Sequence, residues 1–203
     1  MRDDGMLVVL SGPSGSGKDT VLAEMFKLNI GFVKSVSMTT RAPRNDEVDG
    51  VDYHFVDENT FLSSISQGKM LEYARYGMNY YGTPKGPVDT WLSKGETVLL
   101  KIEVEGAGNI RKLYPDVISI FLTPPNMTIL EKRLRERGSE DDEDVRRRLN
   151  IACEELNRIG EYDYVVVNDD LESAVDEIKT IIMAEKLKVS RRKNILSEVK
   201  NYV

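Results

Sequence analysis

Between the apolar run Met6-Leu-Val-Val-Leu10 and an apolar-periodic stretch that begins at Asp19, the chain places Gly12-Pro-Ser-Gly-Ser-Gly17-Lys18-Asp19-Thr20. No other feature narrows the possible folds as much. The glycines of Gly-x-x-x-x-Gly-Lys let consecutive backbone N–H groups converge on one anion, and a helix starting at once adds its positive end. Lys18 can then neutralise charge developing on a transferred phosphoryl group. A glycine-rich turn with a solvent lysine is the plainer reading; the preceding strand, the spacing and the following helix together argue against it. Asp19 stands where such loops usually carry the Ser or Thr that ligates Mg²⁺, with Thr20 one place later. Either Thr20 serves the metal through a shifted geometry, or Asp19 approaches it through water.

The strand–loop–helix unit is the first of several. Thr97 to Leu100, Val117 to Leu122 and Tyr164 to Val167 are short, continuous and β-branched, the pattern of strands covered on both faces. Helical periods run over Asp19 to Leu28, Lys85 to Lys94, Val104 to Leu113, Asn126 to Arg137, Asp144 to Ile159, and onward from about Leu171. Alternation of this kind predicts an α/β doubly wound domain on a parallel sheet. At 203 residues, with 40% hydrophobic and 31% charged types, one globular unit is expected. A net charge of −6 argues against coating nucleic acid, which needs a basic face, so any positive site must be local. The single cysteine, Cys153, builds no disulfide framework. The acidic flank and short run at the N-terminus read neither as a signal nor as a membrane helix. A cytoplasmic protein without membrane attachment is the expectation.

Val33 to Thr83 departs from the alternation, being rich in Thr, Tyr, Asp, Asn and Gly with weaker strand signals at Tyr53 to Val56 and Leu71 to Tyr76; it reads as an inserted lobe. Within it Arg41 and Arg44, three apart and held by Pro43, suit a doubly charged phosphate, since guanidinium forks donate paired hydrogen bonds. Tyr53 and Tyr81 add neutral donors. Surface ion pairs are the bland alternative for two loop arginines. Arginines at 133, 135, 137, 146, 147 and 148 surround the acidic turn Gly138 to Asp144, which reads as a mobile arm.

The run Thr39-Thr-Arg41-x-x-Arg44-x-x-Glu47-x-x-Gly50-x-x-Tyr53-x-Phe55 matches the signature of guanylate kinases. The chain resembles that family from about Gly5 to Leu187. The likeness takes in the phosphate loop, Asn79-Tyr-Tyr-Gly-Thr83, Ile102-Glu-x-x-Gly-Ala107, Arg137-Gly138, and Tyr162-Asp-Tyr164 with Val167-Asn-Asp169. The resemblance implies a three-layer α/β P-loop NTPase fold with a parallel core sheet, an inserted GMP-binding lobe and a helical lid. Its domain covers 5–187: core 5–36 and 84–187, lid about 132–160, lobe about 37–83. A charged helix or tail occupies 188–203.

The activity so implied is transfer of the γ-phosphoryl group of ATP to GMP, and dGMP, with Mg²⁺ entering alongside ATP. On the ATP side stand Gly12, Pro13, Ser14, Gly15, Ser16, Gly17, Lys18, Asp19 and Thr20, with Arg133 flanking the adenine and Asn168 at the adenine or ribose. Ser37, Arg41, Arg44, Tyr53 and Tyr81 match positions that hold the GMP phosphate. Glu72 matches the guanine reader, whose carboxylate accepts from N1–H and the 2-amino group together; Thr83 would meet guanine O6 or the amino edge. Arg137 and Arg148 match arm positions that reach the phosphates, completing a catalytic set with Lys18, Arg41 and Arg44. Many members carry two carboxylates at the end of the second apolar block; here the first is Lys101 and only Glu103 remains. Period two puts both on one strand face, so a Lys101–Glu103 ion pair is the bland reading for both, while Glu103 can serve the GMP side or the metal shell.

Other residues carry less. Arg135, Arg146 and Arg147 read as a solvated face. His54 falls at a variable position of the signature, Cys153 on the apolar side of a helix, and Trp91 and Leu92 in the core. Two rivals stand: a non-catalytic binding module, against which the intact loop and Lys18 argue, and a kinase for another phosphorylated acceptor such as a ribose bisphosphate, which would need neither Glu72 nor Thr83. Partners are the small molecules ATP and GMP, and oligomeric state is left open.

Overall fold

The computed structural model describes residues 5–44, 47–136, 142–192 and 195–200. In chain order it has β1 (Met6–Ser11), α1 (Lys18–Lys27), β2 (Val33–Lys34), β3 (Ser37–Thr39), β4 (Tyr53–Phe55), α2 (Glu58–Ser66), β5 (Met70–Tyr76), β6 (Asn79–Pro84) and α3 (Lys85–Ser93). Then follow β7 (Thr97–Lys101), α4 (Val104–Leu113), β8 (Ile118–Thr123), α5 (Met127–Glu136), α6 (Asp142–Leu156), β9 (Tyr164–Val167), α7 (Leu171–Lys186) and α8 (Ile195–Lys200).

Every residue of β1 is buried because it is the middle strand of the parallel five-stranded sheet β2-β7-β1-β8-β9. Its side chains alternate between two cores. Met6, Val8 and Leu10 face α1 and α7 with Val21, Met25, Ile178 and Ile182; Leu7 and Val9 face α3 and α4 with Val88, Ala107 and Ile110. Period two thus makes each apolar strand serve both layers, and the result is the expected α/β/α sandwich. Because β1 is flanked by β7 on one side and β8 on the other, the carboxyl edge opens a crevice at β1, where the phosphate loop leaves the sheet.

A second sheet, β4-β3-β6-β5, forms the inserted lobe, antiparallel except for the β3–β4 pair. Val33 and Lys34, which composition groups with the insert and the domain bounds implied by the resemblance group with the core, pair with Val98 and Leu99 of β7 and close the edge of the core sheet. The helix α2 was not anticipated. It is set by Asp57, whose carboxylate accepts from the Thr60 backbone and hydroxyl, and by Phe61, which is fully buried and stacks on Tyr80. The helices α5 and α6, over the stretch expected to form a lid, pack around Leu130, Leu134 and Ala152. Cys153 corrects its expected packing role: it is exposed, since the buried positions of α6 are Val145 and Ala152 and the next residue turns about 100° away. Trp91 and Leu92 pack against the core as expected. No described helix is long and apolar enough to cross a membrane.

Candidate active site

The phosphate loop owes its shape to close approach. Gly17 has φ 96°, and a Cβ there would collide with the Asn168 amide. Asn168 Nδ2 donates to Ser16 O at 2.8 Å, and Arg133 donates to Asn168 O at 2.8 Å and to Ser16 O at 3.5 Å. The residues assigned to the adenine side therefore also brace the loop. Helix α1 starts with Gly17 in the capping position and no side chain bonded to its first-turn N–H groups, leaving its positive end to whatever the loop binds. Lys18 is 9% exposed and folds back to donate to Gly12 O at 2.6 Å and Pro13 O at 3.2 Å, with Glu103 Oε2 3.9 Å away.

A cleft of about 390 Å³ lies between this loop, the lobe and the lid. From the sequence-predicted set it gathers Ser14, Gly15, Gly17, Lys18, Asp19, Ser37, Arg41, Arg44, Tyr53, Glu72, Tyr81, Glu103 and Arg148. Thr20 is exposed and does not line it; Asp19 does. Arg137 lies outside the described residues. Arg148 reaches the loop by donating to Ser14 Oγ. Arg135 pairs with Glu131 and Asp142 on the surface, as a solvated face requires, whereas Arg147, paired with Asp144, also lines the rim of the cleft.

On the lobe side Glu47 organises the two arginines. Its carboxylate takes Arg41 Nη2 at 2.8 Å and the Arg44 backbone N–H at 2.8 Å, while the Arg44 guanidinium stays 4.0 Å off and 60% exposed. Arg41 is also held over Tyr53 and Phe55, 5.5 and 5.8 Å from the ring centroids. Behind them, β5 and β6 place Glu72 directly opposite Thr83, whose hydroxyl donates to Glu72 Oε1 at 2.7 Å. Gly106 of α4 lets the Glu72 carboxylate lie against the helix backbone, because any Cβ would strike it. Burial pushes the Glu72 carboxyl up to about 7, with the Thr83 hydrogen bond opposing and the Glu103 charge adding.

The expected Lys101–Glu103 pair is not formed. Lys101 instead binds the Asp19 carboxylate, because β7 runs beside β1 with Lys101 opposite Leu10 and so ends next to the start of α1; Glu103 turns to Lys18. Sequence reasoning also passed over Tyr76 and Glu155. Burial and the charges of Glu155 and Glu103 push the Tyr76 hydroxyl up to about 12, and burial followed by the Glu103 charge pushes Glu155 up to about 7. Tyr76 OH, Glu103 Oε2, Glu155 Oε2 and Ser16 Oγ are buried and have no hydrogen-bond partner. Of these residues Tyr76 and Glu103 line the cleft, where a polar ligand would satisfy them. Only the lid's fold brings Glu155 to the loop, so no spacing in the chain could have flagged it.

A family model described as guanylate kinase matches residues 4–185. The guanylate kinase of Carboxydothermus hydrogenoformans is 46% identical over 187 residues, covering 92% of this chain and 92% of its own length. That of Lactobacillus johnsonii is 46% identical over 204 residues, covering 100% of this chain and 98% of its own. Among solved structures, the guanylate kinase of Anaplasma phagocytophilum superposes with a TM-score of 0.83 at 35% identity, covering 98% of this chain and 95% of its own.

Proposed function

Because this chain belongs to the guanylate kinase family, we propose that its cleft transfers the γ-phosphoryl group of ATP to GMP, and to dGMP, giving ADP and GDP. The observation that carries the reading is one cleft lined both by the glycine loop with Lys18 and by Arg41, Arg44, Tyr53 and Glu72, the last held by the hydroxyl of the fully buried Thr83.

The GMP phosphate oxygen attacks the γ-phosphorus directly, and the bond to the ADP oxygen breaks; no protein nucleophile is required. Positioning and charge neutralisation therefore supply the catalysis. The loop backbone and the free end of α1 hold the donor phosphates, and Lys18, released from its own loop carbonyls, neutralises the moving group. Arg41 and Arg44 align the acceptor phosphate with help from Ser37, Tyr53 and Tyr81. Glu72 accepts from guanine N1–H and the 2-amino group, which adenine lacks on that edge, while Thr83 orients the carboxylate and meets the base. Arg148, already at Ser14, completes the charge on closure, with Arg137 as its proposed companion; Arg133 and Asn168 fix the loop beneath the nucleoside. Closure also excludes water, the competing acceptor.

Magnesium suits the residues present. It prefers oxygen ligands, keeps several waters and takes one or two carboxylates plus substrate phosphates; among the described residues no cluster of three or more acidic, His or Cys side chains could cage it alone. Glu103, whose Oε2 accepts no hydrogen bond, and Asp19 through water would hold it, and Thr20, outside the cleft lining, is the weaker candidate. When bound, it shields the phosphates' negative charge. Its substrates and its single cysteine suit the cytoplasm.

The test is ADP release from Mg-ATP with GMP, dGMP, AMP, CMP, UMP and ribose 1,5-bisphosphate offered separately. Turnover confined to GMP and dGMP is expected. Equal turnover with AMP would remove Glu72 as a base reader, and turnover only with the bisphosphate would replace GMP as the acceptor.

A further inference from the structure

The mechanism above gives Lys101 no task, yet it lines the cleft. Its side chain is 10% exposed, binds the Asp19 carboxylate, and lies 4.8 Å from the ring centroid of Tyr53 on the acceptor lobe. Asp19 occupies the first turn of α1, at the helix end that should receive phosphate. A carboxylate there stabilises the helix and repels the ligand. The chain therefore carries a negative charge at its anion site and a buried cation aimed at that charge.

We propose that Lys101 is a positioning residue that neutralises Asp19 and thereby keeps the phosphate loop receptive to a polyphosphate before any metal contributes charge. The assignment rests on the reading of the loop as the ATP site and deepens it. Lys101 acts through Asp19, so its effect appears in metal-free nucleotide binding and not only in turnover. Removing the ammonium takes its positive charge away from Asp19 beside the incoming phosphates, with the Lys34 cation the more distant one remaining; removing the carboxylate lets the ammonium attract them.

Titration calorimetry with ADP in EDTA, on the full chain, tests this. Lys101→Met should weaken metal-free ADP binding roughly tenfold, Asp19→Asn should tighten it roughly threefold, and the double variant should return to within about threefold of the parent. Magnesium should narrow the gap between Lys101→Met and the parent, since the ion takes over the neutralisation. A double variant as weak as Lys101→Met would show that Lys101 acts without Asp19 and would overturn the proposal, as would unchanged binding in Lys101→Met. If Lys101→Met fails to fold, Asp19→Asn decides alone: it removes an exposed carboxylate at nearly constant volume, and unchanged or weaker binding sinks the idea. The measurement uses no acceptor. Failure of the parent protein to turn over GMP would thus refute the acceptor assignment without touching this comparison.

Discussion

Glu72 is 6% exposed, so burial pushes its carboxyl up to about 7 against the opposing hydrogen bond from Thr83. The unfolded chain releases that proton near the ordinary value of 4.5. Between the two values the folded state holds the extra proton, so stability is lost as pH rises through this window and levels off above about 7. Glu72→Gln should therefore be more stable than the parent at pH 8, by up to about 3 kcal/mol, and equal to it at pH 4; urea unfolding at both pH values measures this. The same change leaves one acceptor where guanine presents two donors. We expect kcat/KM for GMP to fall by roughly 10² or more, so that stability and selectivity move in opposite directions. Arg41 behaves differently because Glu47 and two aromatic rings already hold it in place. Arg41→Ala should cost roughly 10² in kcat/KM for GMP with little unfolding; near-normal kinetics would remove it from the phosphate site.

At the scale of elements, the phosphate loop is shaped as much by its neighbours as by its own glycines. The helix α5 lays Leu130 and Leu134 against Gly15, and the same leucines form the small core of the lid with Ala152. Leu134→Ala should cost about 2–5 kcal/mol, and because the cavity opens under the loop it should raise KM for ATP more than KM for GMP. Thermal unfolding and the two KM values check it together; equal rises in both would show that the lid and loop are not coupled through this contact. Gly17→Ala should abolish ATP binding while leaving the sheet intact, since the added methyl would meet both a positive φ and the Asn168 amide. Far-ultraviolet dichroism against nucleotide titration separates those effects.

The whole molecule is a core sheet with a second sheet and a two-helix lid set around one cleft. The cleft is lined by the phosphate loop, the lobe, the core sheet and α6, so a nucleotide bound in it would touch all four. GMP and ADP together, each at about 100 times its dissociation constant, should raise the unfolding temperature by more than either alone and reduce the radius of gyration seen in solution scattering. An unchanged radius would mean that the cleft is already closed in the free chain. The parallel sheet is legible in the chain through continuous β-branched runs that read the same from both faces, and so is the phosphate loop, whose residues are consecutive and whose backbone conformation is local. The arginine cluster is legible too, since Arg41, Arg44 and Glu47 lie within one turn of chain. Only the folded arrangement shows that Lys101 meets Asp19 and not Glu103, that Glu155 comes to the loop, and that Cys153 faces water. Each of those depends on strand register or helix rotation bringing together positions tens of residues apart, and electrostatic partners follow distance in space, which the order of residues does not encode locally.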